Sequence, residues 1–203
     1  IYITDTLEYY FSKIVQSDPN FSSIKRIVDI SFDDDLESAT LNQNQEYTGH
    51  WSATSRAILN LSTEQGIKEY EDYLTSSGIE DKIVKSYEAL NTEMLQLEYN
   101  KPFKTVSIIT SESLLEEAGD SFLFQIGKVI GTQSELYQET KRVNPIEMQY
   151  PNQYDYTITI NIPKGYSAEG LEVLNIDESY KSVKGNKLCK FESSYKVEGN
   201  KVI

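Results

Sequence analysis

The 203-residue sequence holds one cysteine, Cys189, one histidine, His50, and one tryptophan, Trp51. One thiol excludes an intrachain disulfide, and so few Cys and His leave no ligand set at the spacing a zinc site needs. A thiol enzyme needs a thiolate, an activating imidazole and an orienting carboxylate within hydrogen-bond reach; Cys189 and His50 are the only such pair the chain could use. Basic residues are also scarce. Nineteen Lys and Arg against 32 Asp and Glu leave a formal net charge of -13, which argues against nucleic acid and anionic membrane surfaces, since phosphate binding rests on clustered positive charge. No apolar run approaches the ~20 residues of a membrane-spanning helix. No phosphate-cradling loop is present: Gly127 and Gly131 are followed by no Gly-Lys-Ser/Thr. Cysteine poverty itself fits a reducing compartment and an exported protein equally.

Tyrosine is abundant, with 15 copies. It suits strands, and it suits faces that grip sugars or proteins, because it joins apolar area to a polar tip. Its clearest use lies in the stretch from Pro145 to Tyr166. There Tyr154, Tyr156, Ile158, Ile160 and Ile162 fall on one face of a strand, and Asp155, Thr157, Thr159 and Asn161 on the other. The pattern predicts a half-buried β-strand, bounded by Pro151-Asn152 before and Pro163-Lys164-Gly165 after. Burying the apolar row would contribute on the order of 10 kcal/mol as an upper bound.

Along the rest of the chain, Ile1–Ile3 reads as a strand end and Asp18-Pro19-Asn20 as a turn. Ile24, Val28, Ile30 and Phe32 alternate in a strand that Asp33-Asp34-Asp35 turns into a hairpin with Leu36–Leu41. Tyr47–Leu59 reads as a further strand. Ser62-Thr63-Glu64-Gln65 reads as a capping box with Ser62 as N-cap, opening a helix near 63–77 marked by Ile67, Tyr70 and Leu74, with Gly78 beyond its end. Strand-like pieces follow at Ile83–Ala89, Leu95–Tyr99, Val106–Thr110 and Ser121–Ile126, with a helical turn at Leu114–Ala118. The last pieces are Leu171–Ile176, Tyr180–Val183, Lys187–Phe191 and Tyr195–Val197. Many short strands between turn signals predict a mainly β fold, an antiparallel β-sandwich with one inserted α-helix.

Among polar candidates, Cys189 reads as a half-buried small hydrophobe on a strand, and His50 as a packing or capping residue. Asp33-Asp34-Asp35 with Glu37 offers oxygen ligands but lacks the Asp-x-Asp-x-Asp-Gly loop that calcium favours, so a solvated turn fits better. Glu116-Glu117 and Asp177-Glu178 read as surface charge. Carboxylates are numerous, so a hydrolase using two of them, or the Cys/His pair, stands as the alternative reading.

The order of motifs resembles one bacterial family. Gly49-His50-Trp51-Ser52-Ala53 with Arg56, then Ala118-Gly119-Asp120 before an aromatic strand, are similar to its G-x-x-A-x-x-x-R and A-G-D segments. Glu139-Thr140-Lys141-Arg142, Pro145, Tyr150-Pro151, Tyr154–Ile162, Pro163 and Gly165-Tyr166 resemble the signature of the uncharacterised β-rich C-terminal domains of transglutaminase-like multidomain proteins. The likeness covers most of Ser23–Ile203. It implies a non-catalytic accessory domain of an exported protein, periplasmic or extracellular, that packs against a transglutaminase-like core or binds another protein or a glycan. Tyr2-Ile3-Thr4-Asp5-Thr6 resembles the segment that closes that core, where the Asp orients a catalytic His. Asp5 would then be a core remnant, residues 1–20 the end of the core, and residues 21–203 the accessory domain, with two subdomains meeting near 111–140. The start at Ile1 rather than Met fits a processed or excised piece. Trp51, Tyr47, Tyr150 and Tyr180 are the expected binding aromatics, Arg56 and Arg142 are expected to pair with buried carboxylates, and no metal or cofactor is expected.

Overall fold

The structure, a computed structural model, describes residues 2–3, 9–10, 18–76, 78–94, 101–131, 139–140, 143, 148–181, 185 and 187–203. In chain order the strands and helices are β1 (Tyr2–Ile3), β2 (Tyr9–Tyr10), β3 (Ser23–Phe32), β4 (Ala39–Tyr47), α1 (Gly49–Leu61), α2 (Glu64–Ser76), β5 (Ile83–Leu90) and β6 (Phe103–Ser111). They continue with β7 (Leu115–Ala118), β8 (Ser121–Phe124), α3 (Ile126–Ile130), β9 (Gln153–Asn161), β10 (Ile176–Lys181), β11 (Lys187–Ser193), β12 (Val197–Glu198) and β13 (Lys201–Val202). Short 3-10 turns occupy Pro19–Phe21 and Leu171–Leu174.

The expected β-rich chain with a helix near 63–77 is what forms. The main sheet has seven strands in the order β12-β13-β9-β3-β4-β6-β5. It is mixed: β3 runs parallel to β9 from Ser23 opposite Gln153 to Ile30 opposite Ile160, while the other neighbours are antiparallel. Three strands from the last third of the chain thus complete a sheet begun by β3, β4, β5 and β6. Three two-stranded pairs, β1–β2, β7–β8 and β10–β11, stand apart from it.

Period-two alternation explains one face of this sheet. Register places Ile160, Ile30, Leu41 and Ile109 in one cross-strand row and Tyr154, Ile24, Tyr47 and Phe103 in another. The first row belongs to a core with Val28, Ala39, Ile79, Leu114 and Val129, against which Ile158, Phe32 and Phe124 pack. Tyr47, Phe103 and Leu74 centre a second cluster with Trp51, Leu59 and Tyr70. Residues of α1, α2, α3 and the β7–β8 pair supply the cover, so helices take the place that a second large sheet would hold in a sandwich.

Between the two apolar clusters the same sheet face is polar and still buried: Arg26, Gln43, Gln45, Thr105 and Ser107 are all at most 5% exposed. Buried polar groups need partners, and the helix ends provide them for Arg26, Gln43 and Gln45. Gln43 Nε2 donates to Thr75 O at 3.3 Å and Gln45 Nε2 to Leu74 O at 2.8 Å, satisfying carbonyls that the end of α2 leaves free. Arg26 Nη1 donates to Val129 O in α3 at 3.0 Å, and its Nε and Nη2 donate to Gln43 Oε1. Desolvation lowers the Arg26 pKa, offset in part by Tyr156. A positive group at a helix C-terminus is favoured by the peptide dipoles.

Several expectations are corrected. The strand placed at Tyr47–Leu59 ends at Tyr47, and α1 follows, because the residues it buries are Ser52, Ser55 and Arg56, a helical spacing carried by polar side chains. Gly49 opens α1 at φ +54, where a Cβ would lie 2.2 Å from Phe21 O. The cap of α2 is Thr63, not Ser62: Gly66 N donates to Thr63 Oγ1 at 3.2 Å, while Gln65 Nε2 donates forward to Glu69 Oε1. Leu115–Ala118 is a strand, held by pairing with β8, not a helical turn. Leu171–Leu174 is a 3-10 turn rather than a strand. The strand expected at Leu95–Tyr99, and Asp5 and Arg142, lie outside the described residues.

Candidate functional site

Three elements meet at Ser22, which is fully buried. Its hydroxyl accepts from His50 N at 3.2 Å, and its carbonyl accepts from Gln153 N at 3.1 Å. Thr48 adds stitches on the same corner: its hydroxyl donates to Phe21 O at 3.0 Å and accepts from Ser23 N at 3.0 Å. Asp18 caps the preceding turn by accepting from Asn20 N at 2.9 Å. These bonds fix the turn before β3, the start of α1 and the start of β9 against one another.

The corner carries a run of ring contacts. Phe21 meets His50 edge-on at 5.8 Å, His50 stacks on Tyr150 at 4.3 Å and 28°, and Trp51 meets Tyr150 edge-on at 6.1 Å. Trp51 continues to Tyr154 at 6.2 Å, and Tyr154 to Tyr156 at 6.2 Å. The run ends where the Arg26 guanidinium lies 6.0 Å from the Tyr156 ring centroid. Phe21 and Tyr154 are 56% and 52% exposed, so the series opens to solvent rather than closing into a core. Burial raises the Tyr154 and Tyr156 pKa values, so both phenols stay neutral donors at physiological pH. Exposed rings with polar tips can hold apolar side chains or sugar faces.

The sequence-expected residues divide. Trp51 and Tyr150 do come together, with His50 between ring partners. Tyr47 is buried beneath them, packed on Phe103 at 5.4 Å, with its hydroxyl donating to Gln45 Oε1; it supports the surface without being part of it. Tyr180 is exposed, but on β10 of the separate hairpin, opposite Cys189 on β11. Phe21, His50, Tyr154 and Tyr156 are the ring members not singled out as binding residues, although Tyr154 heads the alternating row. Arg56, expected to pair with a buried carboxylate, instead donates to carbonyls: Nε to Asn91 O at 2.8 Å and Nη2 to Lys101 O at 2.7 Å.

The polar candidates show no catalytic grouping among the described residues. Cys189 is exposed rather than half-buried, because no layer of described residues covers β11. No hydrogen bond links it to His50. Among the described residues no three His, Cys, Asp or Glu side chains gather to hold a metal ion. No described helix is long and apolar enough to cross a membrane. Asp33 accepts from Ser38 N and Oγ, which lowers its pKa and closes the hairpin turn. Asp81, beside a cavity lined by Gly78, Glu80, Ser113 and Lys128, already accepts from the Ser111 and Ser113 hydroxyls and from Glu112 N and Ser113 N. Burial opposes its charge, but those bonds win and hold the carboxyl well below its usual range. Asp81 is a staple between the approach to β5 and the end of β6.

A family described as a domain of unknown function with solved structure, DUF3858, matches residues 121–203. The matched stretch contains β9, β12 and β13, which lie in the main sheet with β9 beside β3. The match is to an uncharacterised domain and carries no link to transglutaminase-like proteins. Comparison with curated proteins finds no match, and neither does comparison with solved structures.

Proposed function

We propose that this chain is a non-catalytic accessory module that binds another macromolecule through the aromatic surface running from Phe21 to Tyr156. The observation that supports it is the unbroken series of ring contacts joining three chain segments while leaving Phe21 and Tyr154 about half exposed. Hydrogen-bonded corners that hold rings in place reduce the ordering cost of binding. Interfaces concentrate their energy in such aromatics. The sequence resemblance supplies one partner, a transglutaminase-like core, and with it an exported setting, periplasmic or extracellular; another protein or a glycan would use the same chemistry.

Trp51 is the chain's one tryptophan and sits inside the series, so its fluorescence reports on the surface directly. A recombinant transglutaminase-like core and a glycan array are the two probes. Binding to either, with a shift in Trp51 emission and a loss of at least tenfold in the Phe21→Ala/Tyr154→Ala double variant, is the expected result. Failure of the wild-type chain to bind both, or equal binding by the folded double variant, overturns the reading.

A further inference from the structure

The two outer borders of the main sheet differ. On β5 the register shifts between Val84 and Ser86, and Lys85 and Glu88 lie along the strand. A bulge and charges are the usual means by which an edge is kept from pairing with another chain. At the other side, β13 pairs with β9 only at Asn161 and Ile160. The preceding residues of β9, from Gln153 to Thr159, have β3 alone as a described strand neighbour. This stretch contains no bulge in its register with β3, no proline and no lysine.

The direction of its backbone groups is settled by two bonds. Gln153 N donates to Ser22 O, toward β3, and Ile162 N donates to Asn200 O, toward β13. Alternate residues of a strand point their N–H and C=O to opposite sides. Tyr154, Tyr156 and Ile158 therefore aim both groups outward, with no backbone partner among the described residues. Such a ladder specifies an extended polypeptide; a sugar or a helix cannot match a donor–acceptor repeat of two residues. The side chains beside it add a pattern. Tyr154 and Tyr156 border one face of an added strand and Asp155 the other, in a chain with net charge -13.

We propose that β9 is a strand-addition site, and that its occupant is an extended segment of a partner protein with apolar residues alternating with basic ones, paired along Tyr154–Ile158 in line with β13. Main-chain bonds would supply affinity and alternate side chains specificity. This rests on the aromatic binding surface proposed above and narrows its ligand to a peptide strand.

Amide hydrogen exchange on the intact chain tests it, with the peptide Lys-Val-Lys-Val-Lys-Val-Lys and its copy N-methylated at alternate residues as probes. In the free protein the Tyr154, Tyr156 and Ile158 amides should exchange at least tenfold faster than those of Asp155 and Thr157, which face β3. Saturation with the unmodified peptide should slow the three by at least tenfold, and the N-methylated copy should bind at least tenfold more weakly. Slow exchange of the three in the free protein, equal binding of both peptides, or protection that appears only as the chain itself dimerises in sedimentation would each overturn the proposal; the last would assign the edge to a second copy. The readout is separate from the ring surface. Protection without a Trp51 emission change defeats the aromatic reading alone, and an emission change without protection defeats this one alone.

Discussion

The helix-covered face of the main sheet and the β10–β11 hairpin are built from the same kind of sequence and end in opposite environments. Val28, Ile30, Leu41 and Ile109 are at most 1% exposed, whereas Tyr180, Leu188 and Phe191 are more than half exposed. Both sets lie on strands of antiparallel pairs. What separates them is a second layer: Ile79, Leu114, Phe124 of β8 and Val129 of α3 pack onto the first set, and no comparable layer of described residues covers the second. A two-stranded ribbon by itself is marginal in water, so β10–β11 depends on cross-strand contacts such as Lys190 with Asp177. Alternation makes a strand; burial requires a partner surface.

The comparison breaks most readily at the centre of the covered face. Ile109→Ala should cost about 2–5 kcal/mol, because it removes buried methyl groups and leaves a cavity among neighbours that cannot fully collapse. Urea unfolding measures it, and a loss below about 1 kcal/mol would mean that the helices do not pack on the sheet as described. Next in size is the Asp81 staple. Asp81→Asn should cost about 1–2 kcal/mol, since hydrogen bonds to an exposed charged acceptor are partly screened. Because the folded carboxyl titrates below its unfolded value, its contribution is complete above about pH 4 and is lost as acid protonates it. The wild-type advantage over the variant should therefore shrink as pH falls below that value. An advantage that grows in acid would contradict the four-donor arrangement. Smallest is the hairpin: Phe191→Ser should stay within about 0.5 kcal/mol of wild type, as for an exposed site. A loss comparable to that of Ile109→Ala would reveal a cover over β10–β11.

Much of the strand pattern was legible. β3 and the hairpin turn after it, β5, β8, β9 and β11 follow from alternation and turn residues, and α2 from its apolar spacing; the returning strand expected at Leu36–Leu41 is in fact Ala39–Tyr47. The helix α1 was not, because its buried side chains are Ser52, Ser55 and Arg56. A reading that tracks apolar period sees only a strand-like run of Trp51, Ile58 and Leu59. Arg26 was missed for the same reason, although it occupies the position between Ile24 and Val28 in an otherwise apolar row. Its burial makes sense only when Val129 O and Gln43 are seen to receive its protons. At the candidate site, Trp51, His50 and Tyr150 could be named singly. Their meeting with Phe21 and Tyr154 depends on the corner at Ser22, which joins residues far apart in the chain.

Sequence alone settled the local chemistry: the excess of negative charge, the lack of a disulfide or zinc set, and which residues prefer extended backbone. Each of these depends on a residue's own side chain or on neighbours two to four positions away. Only the tertiary structure decided that β9 lies parallel to β3, that glutamines and an arginine close helix ends inside the sheet, and that rings from three segments form one surface. Those outcomes turn on which distant groups satisfy one another's hydrogen bonds and exclude water together, and no short-range pattern encodes that choice.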